Sequence, residues 1–117
     1  MSTAPLSIES HFEGRPPVVR QIYDRILAVA GSFGPVEEDP KKTSIHLNRK
    51  TAFAGVATRK DGLILTLKSA HDIESPRVSR HEQASARRWH LEVRLEDPGE
   101  VDAELVGWLK DAYDLSA

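Results

Sequence analysis

Four arginines lie close together in the sequence, and their side chains can bind an anion. Arg77, Arg80, Arg87 and Arg88 fall within twelve residues. A guanidinium group binds a phosphate or a carboxylate through two parallel hydrogen bonds. The segment therefore predicts an anion-binding site. The ordinary alternative is a solvated, charged segment whose arginines pair with acidic residues of the rest of the chain.

The five histidines are the second group of candidates for chemistry. They stand at positions 11, 46, 71, 81 and 90, without a His-x-His pair, a pair at i and i+4, or carboxylates at ligand spacing. Neutral imidazole is a common metal ligand, but this spacing does not favour a metal site. We predict no metal and no cofactor. His46 and His90 can bind a ligand or act as a general base only if the fold surrounds them with a pocket.

The sequence carries no recognisable catalytic motif. It has no cysteine, which excludes disulfides, thiolate metal sites and cysteine nucleophiles. No serine lies in a Gly-x-Ser-x-Gly motif, and the glycines do not have the spacing of a P-loop or a dinucleotide fingerprint. We therefore predict no catalytic residues and favour a binding domain over an enzyme.

Charge is distributed unevenly along the chain. Residues 41–94 carry 12 Lys and Arg against 5 Asp and Glu, whereas residues 1–40 carry 3 against 6 and residues 95–117 carry 1 against 7. The net charge of −2 hides this contrast. The basic middle of the chain favours an anionic partner, such as nucleic acid or an acidic protein surface.

Two helices are predicted near the ends of the chain. Pro16 and Pro17 are compatible with the first turn of a helix, and apolar residues follow at three- and four-residue spacing up to Ala30. Near the carboxyl end, Asp97-Pro98-Gly99-Glu100 offers a capping side chain, a proline and a carboxylate three residues after the cap. We expect the second helix to begin there.

Four strands are predicted between the helices from the alternation of apolar and polar residues, at 43–48, 51–58, 63–68 and 88–95. Asp61-Gly62 predicts a hairpin, because glycine adopts the positive φ that a tight turn requires. Glu37 to Asp39 is predicted to be an acidic connector. Ser69 to Ala86 shows no sustained period, so it is predicted to be a long loop, either functional or mobile.

These elements predict an α+β fold. We expect an antiparallel sheet of about four strands with two helices packed on one face, in the order α-β-β-β-β-α. Residues 15–117 would form a single domain, preceded by a polar arm at residues 1–14. If the alternating leucines face the helices, the other face presents a mainly basic set: His46, Thr66, Lys68, Arg88, His90 and Arg94. Phe53 can join them there, but one ring is too few for an RNA-binding platform.

The composition also limits where the protein can act. The longest apolar run, around Leu63 to Leu67, is far below the roughly 18 residues that a membrane span needs. The first ten residues lack the basic and apolar regions of a secretory signal. We expect a soluble, cytoplasmic protein with no membrane contact.

Several short motifs together resemble one known family. They are His11-Phe12-Glu13-Gly14, Lys42 to Leu47, Ala52 to Val56, Lys60 to Leu63, Pro76 to Val78, Trp89-His90, Val101-Asp102, Trp108-Leu109 and Ala112-Tyr113. The sequence resembles a family of small, mostly bacterial domains of unknown function, numbered 5655, from about residue 11 to the end. The resemblance implies a compact α+β domain, and it implies no activity.

Three functional hypotheses follow. In the first, the protein is a binding or adaptor domain whose basic sheet face and Ser69 to Arg88 segment contact an anionic partner, either nucleic acid or an acidic protein. In the second, His46, His90 and the arginines line a pocket for a small molecule or a substrate. In the third, the open sheet face is buried in a homodimer. The candidate ligand-binding residues are Arg77, Arg80, Arg87, Arg88, His90, His46 and Lys68.

Overall fold

The protein folds as a six-stranded antiparallel sheet with two helices on one face. The computed structural model describes residues 7–117. The helices are α1 (Pro17–Phe33) and α2 (Ala103–Leu115), and short 3₁₀ helices span Glu9–Phe12 and Pro98–Glu100. The strands are β1 (Glu37–Pro40), β2 (Ile45–Asn48), β3 (Ala52–Thr58), β4 (Leu63–Ser69), β5 (Val78–Ser85) and β6 (Arg88–Leu95). Their order across the sheet is β1-β2-β3-β4-β6-β5.

The hydrophobic core lies between the helices and the inner face of the sheet. Along β4 the odd-numbered residues are buried, and they pair with buried residues of β6: Leu63 with Leu95, Leu65 with Val93, and Leu67 with Leu91. The helices contribute the apolar positions spaced three and four residues apart, including Ile22, Ile26, Leu105 and Leu109. The predicted faces of these two strands and the α+β class are confirmed.

The prediction of about four strands is wrong, because the sheet also contains β1 and β5. β1 has the sequence Glu-Glu-Asp-Pro and no buried residue. In β5 only Val78 is buried. Both strands lie at the edges of the sheet, where backbone hydrogen bonds to one neighbour hold a strand that packs little apolar surface. Because neither strand has a buried face, neither shows an alternating sequence pattern. The segment predicted as one long loop therefore hid a strand of eight residues.

The two cap motifs near the carboxyl end serve different helices. Asp97 accepts a hydrogen bond from the Gly99 N–H (2.7 Å), and the Glu100 carboxylate accepts one from the Asp97 N–H (2.9 Å). This capping box begins only the short 3₁₀ helix. α2 begins at Ala103 after a second cap, Asp102, which accepts from the Leu105 N–H (3.1 Å). The predicted start of the long helix was therefore several residues too early.

Part of the amino-terminal arm packs on the domain. The Phe12 ring lies 5.2 Å from the Tyr23 ring of α1, centroid to centroid. The Thr58 hydroxyl at the end of β3 donates to the carbonyl oxygen of His11 (2.8 Å). Residues 1–6 of the predicted arm lie outside the described residues.

Gly62 closes the β3–β4 turn for a different reason from the one predicted. Its φ is not positive. Instead, a Cβ atom at this position would overlap the carbonyl oxygen of Leu95 and lie 3.2 Å from Cα of Glu96. Glycine is required because the backbone at the end of β6 passes directly over the turn.

We expect Gly62→Ala to lower the free energy of unfolding by about 1–3 kcal/mol, because the added methyl group must displace backbone. Gly107→Ala is the matched control, since Gly107 lies exposed in α2 and a methyl group added there would have no neighbouring atom within 4 Å. That control should stabilise the protein by roughly 0.5–1 kcal/mol. Urea unfolding measures both, and equal effects of the two substitutions would contradict the assigned contact.

Candidate functional site

The face of the sheet opposite the helices, here called the open face, carries a groove. On β4 the open face presents Ile64, Thr66 and Lys68, all of them half-buried. Their neighbours on β6 are Arg94, Glu92 and His90, respectively. This face is the one on which the alternation predicted a basic set of side chains.

Small residues of β3 form the floor of the groove. Gly55 pairs with His46 of β2 on one side and with Thr66 of β4 on the other. Neighbouring strands lie about 4.8 Å apart, so His46 and Thr66 are separated by about 10 Å across a residue without a side chain. With Ala52 and Ala57 above and below Gly55, the groove has a volume of about 320 Å³.

A β-bulge shapes one end of the groove. The pairing between β2 and β3 shifts after Leu47, and the extra residue, Phe53, turns into the core. There its ring makes an edge contact with Tyr113, at 5.2 Å between centroids. The expectation that Phe53 can lie on the open face is wrong, because the bulge reverses its direction.

Lys68 lies at this bulged end of the groove. Its ammonium group donates to the hydroxyl oxygens of Thr51 (3.1 Å) and Ser116 (3.0 Å). Within residues 7–117 no carboxylate oxygen lies within 4.0 Å of the ammonium nitrogen. Two hydrogen bonds use two of its three N–H donors, so one donor has no acceptor, and the positive charge no carboxylate, among residues 7–117.

The surroundings of Lys68 disfavour its charge. Burial lowers the pKa of the Lys68 ammonium below its ordinary value, and the positive charge of Arg88 lowers that pKa further. Arg88 is half-buried, and its guanidinium donates to the carbonyl oxygen of Arg87 (2.9 Å) and to no other group in the described part of the chain. The two cations therefore repel each other at one end of the groove, and a bound anion would relieve this repulsion.

Two imidazoles stand on either side of the groove. His90 is directly opposite Lys68 in the β4–β6 pair, and its Nδ1 lies 3.6 Å from a Glu82 oxygen. His46 lies on the other side, next to Asp39 of β1. The ammonium of Lys41, 2.9 Å from the Asp39 carboxylate, lowers the pKa of that carboxyl. Asp39, the acidic residue paired with His46 across the β1–β2 ladder, is thus itself paired with a cation.

Arg77 lies away from the groove and joins two parts of the fold. Its guanidinium donates to Asp102 (2.9 and 3.1 Å), to Glu104 (3.1 Å) and to the carbonyl oxygen of Glu100 (2.6 Å). It also lies 5.8 Å from the Trp108 ring centroid. These contacts attach the segment before β5 to the first turn of α2.

The other three arginines lie on the β5–β6 hairpin. Arg80 contacts Glu82 (3.4 Å) and Glu92 (3.9 Å) on the open face. Arg87 lies in the turn between the two strands, and Arg88 is the first residue of β6. Neither has a carboxylate oxygen within 4.0 Å among the described residues. The four arginines therefore do not converge on one point.

Of the predicted ligand-binding residues, the fold brings His46, Lys68 and His90 to one groove, with Arg88 nearby. The sequence alone did not predict that Ala52, Gly55 and Ala57 line a groove. The unusual run of small residues within a strand was the feature that could have indicated it. No sequence pattern predicts that Thr51 and Ser116 accept hydrogen bonds from Lys68. The bulge and the end of α2 bring these two residues to Lys68.

Two further observations limit the kinds of site present. Among residues 7–117, no three His, Cys, Asp or Glu side chains approach closely enough to hold a metal ion. None of the helices described is long and apolar enough to cross a membrane.

The fold defines a small α+β domain with one sheet face covered by helices and one face open and grooved. The sequence matches the family described as "Domain of unknown function (DUF5655)" over residues 8–116, and the chain belongs to that family. No curated protein and no solved structure gives a significant match.

The Arg77–Asp102 contact gives a pH-dependent prediction. The guanidinium of Arg77 and the N–H of Leu105 hold the pKa of the Asp102 carboxyl below its ordinary value. A carboxyl with a lowered pKa in the folded state stabilises the protein above its unfolded pKa of about 3.9. This contribution disappears as the pH falls through the folded pKa. At pH 7 the wild-type protein should therefore be more stable than Asp102→Asn, and the difference should shrink below about pH 4.

Urea unfolding at about pH 7 and about pH 3 measures that difference. Asp111→Asn is the control, because Asp111 lies exposed on the same helix and has no cation within 4.0 Å among the described residues. A stability difference for Asp102→Asn that does not change with pH would show that the ion pair contributes nothing and that only the helix cap matters.

Proposed function

We propose that the groove on the open face binds a small organic anion through a carboxylate or phosphate group. The observation that carries this proposal is the ammonium group of Lys68, which is half-buried at the groove, hydrogen-bonded to two hydroxyls and not paired with any carboxylate of residues 7–117. Charged groups that are withdrawn from water are normally paired. An anionic ligand supplies the missing partner.

The surrounding side chains suit a small ligand of mixed character. The groove volume of about 320 Å³ is at the lower end of the range for small-molecule sites, roughly 300–1,000 Å³. Ala52, Gly55 and Ala57 offer apolar contact to a carbon skeleton. His46 and Thr66 offer hydrogen-bonding groups on opposite sides of Gly55. The anionic group would lie against Lys68, and the rest of the ligand would extend across Gly55.

The same geometry favours a small anion over a long nucleic acid. Arg77 and Arg80, two of the four arginines expected to contact phosphates, already contact carboxylates. The 1 Lys and 7 Asp and Glu of residues 95–117 place negative charge on the α2 side. A polyanion needs a continuous row of cations, whereas the groove needs only the local charge of Lys68 and Arg88.

We expect Lys68→Met to weaken binding of a small anion by about 10- to 100-fold. A hydrogen bond to a charged group contributes about 1.5–3 kcal/mol, and 1.4 kcal/mol corresponds to a tenfold change in Kd. Amide shifts in NMR spectra, recorded during titration with inorganic phosphate and separately with citrate at constant ionic strength, measure the affinity. Shifts in the wild-type protein should be concentrated at Gly55, Thr66, Lys68 and His90.

Two further variants make the test specific. Lys60→Met removes an exposed lysine of the β3–β4 turn and should leave the affinity unchanged. Gly55→Ala should weaken citrate binding while leaving the fold intact, because a Cβ atom there meets its nearest neighbours only at 3.9 Å and takes up space in the groove that Gly55 lines. Equal losses in Lys68→Met and Lys60→Met would mean that only general electrostatic attraction is present, and the groove would then not be the site.

The affinity should also depend on pH in one direction. Only the protonated ammonium attracts an anion, and the pKa of Lys68 is lowered in the free protein. Anion affinity should therefore fall as the pH rises through that pKa, at a lower pH than an ordinary lysine would give. Titrations between about pH 7 and pH 10 in wild type and Lys68→Met test this. A pH profile that is the same in both proteins would contradict the role of Lys68.

A further inference from the structure

The β5 strand is an edge of the sheet that the fold leaves uncovered. It spans eight residues, and all of them after Val78 are exposed. Its only described strand partner is β6. α2 packs over β3 and β4, away from it. The outer backbone edge of β5 can therefore pair with another strand.

The two edges of the sheet differ in how they are protected. β1 at the opposite edge has four residues, three of them acidic, and ends in a proline. A second copy of β1 would meet like charges and a residue without an N–H group, so this edge resists pairing. β5 has no proline, and its central part, Arg80 to Gln83, pairs regularly with β6 between two register shifts.

The charges on β5 are self-complementary in one antiparallel register. Arg80 and Glu82 point to the same face of the sheet, two residues apart, with His81 between them. When two copies of β5 pair antiparallel around a two-fold axis at His81, Arg80 of each copy lies opposite Glu82 of the other. An axis at Arg80 would place two arginines opposite each other, and an axis at Glu82 would place two glutamates opposite each other. Opposite charges at directly paired positions stabilise a sheet, and like charges destabilise it.

We propose that β5 is a homodimerisation edge, which pairs antiparallel with β5 of a second copy of this chain around His81. The two sheets then form one continuous sheet with all helices on the same side, because a two-fold axis perpendicular to a sheet preserves its faces. The contact lies at the edge and leaves the groove over β3 open.

Charge substitutions test the register. Arg80→Glu alone and Glu82→Arg alone should each raise the dimer dissociation constant about tenfold or more, because each replaces two attractive pairs by two repulsive ones. The double substitution R80E/E82R should restore wild-type affinity. Mixing the two single variants should give a heterodimer. Positions 80 and 82 are then both glutamate in one chain and both arginine in the other, so each pair across the interface has opposite charges. Sedimentation velocity of the full chain from about 1 µM to about 1 mM measures these constants.

A cysteine pair tests the geometry independently. The chain contains no cysteine, so His81→Cys introduces a single thiol at the two-fold axis. Directly opposed residues of an antiparallel pair have Cα atoms about 4.5–5.5 Å apart, which is within the range for a disulfide. Gln83→Cys is the matched control, because the two Gln83 positions would be about 13 Å apart along the strands. Under mild oxidation His81→Cys should form a disulfide dimer, and Gln83→Cys should not.

Three results would overturn the proposal. The first is a wild-type protein that stays monomeric at about 1 mM. The second is equal crosslinking of the two cysteine variants. The third is two single charge variants that remain monomeric when mixed. Anion binding by the groove is measured separately, so failure of the dimer does not affect the proposed function.

Discussion

Burial of one face of β4 constrains the rest of the molecule. Leu63, Leu65 and Leu67 must face the helices to form the core, and the alternation of a strand then forces Thr66 and Lys68 to the opposite face. A one-residue slip would bring the Lys68 ammonium into the core, which is far more costly than the loss of a few hydrogen bonds. The direction of every side chain on the open face of β4, and so the composition of that side of the groove, follows from this apolar contact.

The bulge at Phe53 converts this regular sheet into one with a groove. In a regular strand, residue 53 would point to the open face beside Lys68 and fill the space there. Its burial against Tyr113 stabilises the core and at the same time leaves only small side chains on the outer side of β3. Packing of the core and shaping of the candidate site therefore depend on the same local irregularity, as is common for bulges beside functional sites.

The basic middle of the chain has several structural uses. Arg77 binds the carboxylates at the start of α2, and Arg80 lies among Glu82 and Glu92. At the groove and the β5–β6 turn, Lys68, Arg87 and Arg88 remain without a carboxylate partner within 4.0 Å in the described chain. A local excess of charge in the sequence thus indicates a cationic region, but the ion pairs of the folded state decide which cations can act on a ligand.

The sequence by itself determined the two helices, the four strands with a buried face and the exposure of His46, Lys68 and His90 on one side, because burial of apolar residues leaves a periodic pattern. It did not reveal β1 and β5, since edge strands are held by backbone hydrogen bonds and need no alternation of buried side chains. Nor did it reveal the direction of Phe53, the partners of Lys68 or the fixed position of Arg77. These depend on a bulge and on contacts between distant residues, such as Lys68 and Ser116, 48 positions apart, and only the packing of the whole chain brings such residues together.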